Sequence, residues 1–312
     1  MNKQVKDPGL GQKFDQEFTR SINKDGSFNV KRVGFDYSFK NTYQTLIKIS
    51  WIKFLLMILV FMIAINLLFT LMYVFAGVNE IEGLSGLNGV SLFLNVYYFS
   101  FQTFTTVGYG SIAPSGDVSG MIASIEAMVG LISFAMVTGL LYGRFSRPTA
   151  RFQYSKNAII APYKKGWSFQ FRIANRRSSE IIELEAKVML SISQKENGET
   201  SRRFYNLDLE IDKIAFLPLN WTLVHPIKEG SPLFKKSVDE LRNADLEFLI
   251  LIKGFDDTFS QVVHSRYSYI FNEILWGAKF VRPYYINEDS DMILDSNLID
   301  KTEKVPFNMY KE

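Results

Sequence analysis

Thr105-Thr106-Val107-Gly108-Tyr109-Gly110 lies between two long apolar stretches, and its reading decides the fold. Glycine at 108 and 110 admits backbone dihedrals closed to other residues. Consecutive carbonyl oxygens can then be turned inward to replace the water around a cation. In that reading Val107 and Tyr109 pack behind the backbone that does the work. The rival reading, a glycine-containing hairpin turn, leaves the apolar flanks unexplained.

Working outward, residues 54–76 are nearly all apolar, interrupted by Asn66 and Thr70. At about 1.5 Å per residue this run makes roughly 34 Å of helix, enough to cross a hydrocarbon core of about 30 Å. A second run, 121–142, contains one acid, Glu126, and the small residues Gly130, Ser133, Ala135 and Gly139. Between them, 83–89 reads as a Gly- and Ser-rich loop. Residues 91–104 are apolar and aromatic but too short to span, so they read as a re-entrant helix whose C-terminal end points partial negative charge toward an ion path. Pro114 and Gly116 then start the return crossing.

Charge orients these segments. No Lys or Arg occurs between Lys53 and Arg144, whereas Arg144, Arg147 and Arg151 follow the second run directly. The positive-inside rule therefore places both termini in the cytoplasm and the Glu80–Glu82 loop outside. The polar first 45 residues hold no apolar stretch, so no signal peptide is expected. A net charge of +3 gives no reason to expect nucleic acid. The chain has no cysteine, so packing and assembly must do what disulfides do elsewhere.

Before the first span, Phe39, Tyr43, Leu46, Ile47 and Ile49 recur at helical spacing among Lys40, Asn41, Gln44 and Lys48. This predicts either a helix in the membrane interface or a cytoplasmic extension of the span. Trp51 and Lys53 suit an interfacial anchor. After Pro148 the period changes to two: Leu184, Ala186, Val188, Leu190 and Ile192 alternate with Glu183, Glu185, Lys187, Ser191 and Ser193, the pattern of a half-buried strand. Further strands are predicted at 167–173, 204–211, 221–225, 247–252, 261–271 and 279–286, with a short helix at 238–244. Several short strands separated by turns predict a β-sandwich.

Taken together, the two spans, the re-entrant TTVGYG segment and the all-β second half resemble the inward rectifier potassium channels, in particular their prokaryotic branch (KirBac). The resemblance runs from about residue 35 to 285. It rests on EAMVG at 126–130, RFSRPTA at 144–150, WTLVHPI at 221–227, SPLF at 231–234, RNAD at 242–245 and NEILWG at 272–277. It implies a potassium-selective channel without catalytic residues or cofactor, in which K+ permeates past the carbonyls of Thr106, Val107, Gly108 and Tyr109. It also implies a homotetramer in the cell (inner) membrane, since one chain supplies a quarter of each carbonyl ring. The expected layout is a leader at 1–37 and a pore domain at 38–148. Within that domain are an interfacial helix at 39–49, an outer helix at 51–76, a pore helix at 91–104, the filter at 105–110 and an inner helix at 117–146. An immunoglobulin-like sandwich at 149–290 and a tail at 291–312, read as poorly ordered, complete the chain.

The same resemblance assigns roles along the path. Phe134, Thr138 and Tyr142, spaced i, i+4, i+8, share one stripe of the inner helix and match gate and pore-lining positions. Gly130 and Gly139 match proposed bending points, with close helix packing as the equal alternative. Phe134 stands where strongly rectifying members carry an acid, and Lys253 replaces another, so strong block by cytoplasmic cations is not expected. Gly254, Phe255, Asp256 and Asp257 match a loop that narrows the cytoplasmic mouth, where the two aspartates would restore negative potential. Arg144 and Arg147, with Lys48 and Lys53, are the expected contacts to anionic membrane lipid, phosphoinositide included. Glu126 is read as a buried acceptor or a protonated acid, and His225 and His264 as core or solvated side chains. The different-class rival is a membrane-anchored β-sandwich that senses lipid or ligand without appreciable flux. A nucleotide-gated Rossmann domain would need a GxGxxG after a strand, and the second half has none.

Overall fold

Ser50, with extended backbone at φ −61° and ψ 154°, breaks helix α1 (Thr42–Lys48) from helix α2 (Trp51–Ala76). Two more helices complete this part of the chain, α3 (Gly89–Phe104) and α4 (Asp117–Phe145). Helices α2 and α4, of 26 and 29 residues, are long and apolar enough to cross a membrane. They are apolar around most of their circumference, the pattern of helices surrounded by lipid or by other chains. Phe69 and Tyr73 of α2, Val96 and Phe99 of α3 and Ile122 of α4 form the core, closed on top by Ile81 and Leu84.

These features come from a computed structural model that describes residues 4–11, 20–31, 33–34, 42–146, 151–177, 179–196 and 199–307. The chain divides into two compact units, Gly34–Arg147 and a second that joins Met1–Val33 to Pro148–Glu312.

The second unit is a sandwich of two sheets. In one, the described strands run in the order Gln4–Val5, Glu199–Leu207, Ile181–Glu196, Glu247–Asp256 and Gln261–Ile270, with Lys213–Phe216 also paired to Ile181–Glu196. In the other the order is Asn220–Ile227, Gly166–Asn175, Ala158–Tyr163 and Ile274–Trp276, with Phe152–Tyr154 paired to Gly166–Asn175. The period-two reading finds its reason here: Leu184, Ala186, Val188, Leu190 and Ile192 are all buried in the interlayer core. Phe169 and Phe248 stack across the sheets with ring centroids 3.8 Å apart. The predicted short helix is α5 (Val238–Asn243), where Ser237 and Glu240 form a capping box.

Three sequence expectations are corrected. The leader read at 1–37 is not separate: Gln4–Val5 adds a strand to the sheet, and the buried carboxylate of Glu247 accepts the backbone N–H of Ser21 at 2.9 Å. The stretch read as one strand at 279–286 is two, Ala278–Phe280 and Tyr284–Ile286, because Pro283 cannot donate to a ladder. The tail read as poorly ordered pairs back through its described part. Thr302–Lys304 joins Ala278–Phe280, Met292–Leu294 joins Tyr284–Ile286, and Phe307 packs edge-on against Trp167 and Trp276. Each partner lies at least six residues away in sequence, beyond the reach of local pattern.

Candidate functional site

Backbone handedness alternates along the TTVGYG stretch. Thr106, Gly108 and Gly110 have φ of 60°, 54° and 80°, while Thr105, at φ −83°, closes α3 and Val107 and Tyr109 keep negative φ. Alternating left- and right-handed residues turn successive peptide planes so that their carbonyls can share one side. Thr106 takes this conformation at the steric cost of a β-branched side chain, so its neighbourhood must hold it there. That hold is local: the Gln102 carbonyl accepts the N–H of Val107 at 2.9 Å and of Gly108 at 3.4 Å, and the Thr103 carbonyl accepts that of Thr106 at 3.0 Å. The α3 carbonyl end thus directly supports the stretch.

Two acids fasten this assembly. Glu126 of α4, fully buried, accepts the Tyr73 hydroxyl of α2 at 2.7 Å and the Ser100 hydroxyl of α3 at 2.5 Å, which ties three helices at one point. On the opposite side of the stretch, the carbonyl of Glu80 accepts the N–H groups of Ser115 and Gly116, and its carboxylate accepts the N–H of Ser119 in the first turn of α4. Ile81–Glu82 pairs with Ala113–Pro114 beside it. Sequence reading gave Glu80 no role. A helix start without a side-chain cap of its own, at Gly116, was the one available hint.

Along α4, Phe134 and Tyr142 are 73% and 74% exposed within one chain and Thr138 is exposed too, so the stripe has no cover from its own subunit. An apolar cavity of about 550 Å³ borders Phe134, Thr105, Thr106 and Phe104. Gly130 is a packing position: a Cβ there would run into the carbonyl of Phe104 at the end of α3, whereas a Cβ at Gly139 meets nothing within 4 Å. α4 continues as helix through both.

The structure redirects other sequence-based assignments. Arg144 does not offer its charge to solvent: its guanidinium donates to the carbonyls of Leu46, Ile47 and Ile49 and lies over the rings of Trp51 and Phe54. It thereby caps the α1 end, while Lys48 and Lys53 are exposed. Arg147 lies outside the described residues. Gly254, Phe255 and Asp256 belong to the strand Glu247–Asp256 rather than to a loop, and the turn begins at Asp257. Asp256 is 1% exposed and accepts the N–H of Phe259, so its carboxylate lies inside the unit and not at its surface. His225 is a core side chain: its Nδ1 donates to the Asp208 carbonyl at 2.7 Å and its Nε2 accepts the Ser231 hydroxyl at 2.8 Å. Burial lowers its pKa, opposed by the Asp208 carbonyl.

Residues 152–311 match a family model described as the inward rectifier potassium channel C-terminal domain, and residues 54–147 match one described as ion channel. A curated relative, the inward rectifier potassium channel Kirbac3.1 of Paramagnetospirillum magnetotacticum, is 33% identical over 279 residues, covering 88% of this chain and 93% of that protein. The human ATP-sensitive inward rectifier potassium channel 12 is 28% identical over 309 residues, covering 92% of this chain and 71% of its own length.

Proposed function

This chain belongs to the inward rectifier potassium channel family, in its prokaryotic branch, and from that membership we propose how its own residues conduct and gate. It is a membrane potassium channel and not an enzyme. Four copies surround one axis, each contributing the carbonyls of Thr106, Val107, Gly108 and Tyr109 to rings that replace the water around K+. The observation that carries this reading is the alternation of φ at Thr106, Gly108 and Gly110. The exposure of Val107 and Tyr109 within one chain, 53% and 77%, supports a partner subunit as their cover.

The gate is the α4 stripe. Tyr142, Thr138 and Phe134 of four subunits form a constriction that stops ions by dewetting when the helices converge. Gly139, where an added Cβ meets nothing of its own chain within 4 Å, is the bending point that remains once Gly130 is assigned to packing. Arg144, Arg147, Lys48 and Lys53 are the contacts to anionic lipid, phosphoinositide included, and the cytoplasmic sandwich relays its state through the linker after α4. Both termini are cytoplasmic and the chain sits in the cell (inner) membrane.

Reconstitution in liposomes tests the reading. Purified protein is expected to take up Rb+ or K+, exclude Na+ and be blocked by Ba2+, with rates that change when phosphoinositide is added. A monomer in lipid, or Na+ uptake equal to that of K+, would falsify it.

A further inference from the structure

We propose that the cytoplasmic unit holds a binding site for a phosphate monoester of a small hydroxylated molecule, in the cavity walled by Arg172, Asn220, Thr222, Lys279, Phe280 and Arg282. The cavity measures about 500 Å³ and lies wholly within this unit. Its floor is Arg172, whose side chain is anchored by bonds from Nε to the Thr222 hydroxyl at 3.2 Å and from Nη1 to the Val281 carbonyl at 2.5 Å. The guanidinium lies over the Phe280 ring, 4.5 Å from its centroid. Its Nη2 has no partner among the described residues.

Arg172 is 6% exposed, and no described carboxylate lies within ion-pair distance of it. A buried cation without a counter-charge is costly, and it is retained where an anion supplies the missing partner. Burial lowers its pKa to about 10, so it stays cationic at neutral pH. Lys279 and Arg282, both exposed, add two cations at the rim. Glu303, opposite Lys279 across the strand pair, is the one acid in the lining. Three cations against one carboxylate leave an excess of two positive charges, which suits a phosphate dianion better than a carboxylate. A guanidinium anchored through Nε and Nη1 beside a ring is also suited to grip phosphate oxygens with its remaining N–H groups.

Asn220 points to the rest of the ligand. Its Oδ1 is buried without a hydrogen bond, while its Nδ2 reaches the Thr222 hydroxyl at 3.4 Å. As placed, the amide accepts from a ligand hydroxyl; turned over, it donates to the anion. In either orientation an organic phosphate satisfies an atom that the protein leaves unpaired.

Titration calorimetry of the full chain in detergent, with glycerol 3-phosphate, tests the site. Vesicles containing phosphatidic acid form a second arm, because a lipid headgroup can supply the same group. Saturable binding of either probe below about 10 mM, weakened about tenfold or more in the rim variant Lys279→Gln/Arg282→Gln, is expected. Which arm saturates identifies whether the phosphate is free or lipid-borne. Arg172→Lys, which keeps the charge but not the fork, should lose binding while keeping the far-ultraviolet circular dichroism of the parent. Absence of saturation in both arms overturns the proposal, and so does undiminished binding by the rim variant. An acidic side chain of a neighbouring subunit filling the cavity would produce the first of these results.

Discussion

The guanidinium of Arg144 donates to the carbonyl of Leu46 at 2.6 Å, joining the end of α4 to the end of α1. Nη2 reaches the Ile49 carbonyl at 2.7 Å, so one side chain satisfies carbonyls that a short helix leaves unpaired at its C-terminus. A cation there also meets the negative end of the helix dipole. The next residue back reinforces the contact: a Cβ on Gly143 would come within 2.8 Å of the Tyr43 hydroxyl. These contacts hold the end of α1 against the end of α4.

Replacing Arg144 should release α1. Arg144→Gln removes charge-assisted bonds worth about 1.5–3 kcal/mol each. Backbone amides of α1 are expected to exchange with solvent faster, by the equivalent of at least about 2 kcal/mol of local stability. Unchanged exchange over α1 would show that the helix is held by something other than Arg144.

Much of this molecule was legible in its sequence, for a reason that also marks the limit. The TTVGYG backbone, the two spans and the buried phase of Leu184 to Ile192 follow from local chemistry: glycine dihedrals, helix length and side-chain alternation. The partners of Arg144 and Glu80 and the burial of Asp256 were not legible because they are chosen by the fold. Arg144 bonds to carbonyls about a hundred residues earlier, and Glu80 to an N–H 39 residues later. Asp256 looked like a loop acid until the strand Glu247–Asp256 carried it inside. The packing of Ser21 and Ile22 against the sheet has the same origin, since Glu247 is the buried acceptor of their N–H groups.

Gly110 tests the carbonyl alignment. Its φ of 80° lies where an added side chain strains the backbone whatever the surrounding space, at a cost of about 1–2 kcal/mol. A relaxed backbone would rotate the neighbouring carbonyl off the ion path. Gly110→Ala is therefore expected to abolish K+ flux or its preference over Na+ in liposomes, and normal selectivity would count against the arrangement.

Gly130 and Gly139 should separate cleanly. At Gly130 a methyl group meets the carbonyl of Phe104, the last residue of α3, so Gly130→Ala must push α3 and α4 apart. Overpacking of this kind costs about 1–3 kcal/mol. A lower melting temperature and impaired K+ selectivity are expected together. Gly139→Ala meets no neighbour in its own chain, so it should leave the melting temperature within a degree or two for a change below about 0.5 kcal/mol. Its effect is expected in open probability, measured by single-channel recording. Equal melting shifts in the two variants would remove the distinction.

His225 makes stability depend on pH. Its folded pKa is depressed below the ordinary 6.5, with burial the largest cause, the Asp208 carbonyl opposing and Lys228 adding to the depression. Near and below pH 6.5 the unfolded chain therefore binds the proton more readily than the folded one. The stability from the neutral ring is complete above the ordinary value and is lost as pH falls toward the folded pKa, with a slope of up to about 1.4 kcal/mol per pH unit. Protonation would also turn Nε2 into a donor, so the Ser231 hydroxyl, which accepts the N–H of Leu233 at 3.2 Å, would lose the acceptor of its own O–H. Amide exchange in the strand Asn220–Ile227 of the full chain is expected to quicken as the pH is lowered from 7 through this range, after correction for the intrinsic pH dependence of exchange. His225→Gln should lower protection at pH 7 and flatten that dependence. An equally steep dependence in the variant would assign the titration to another group.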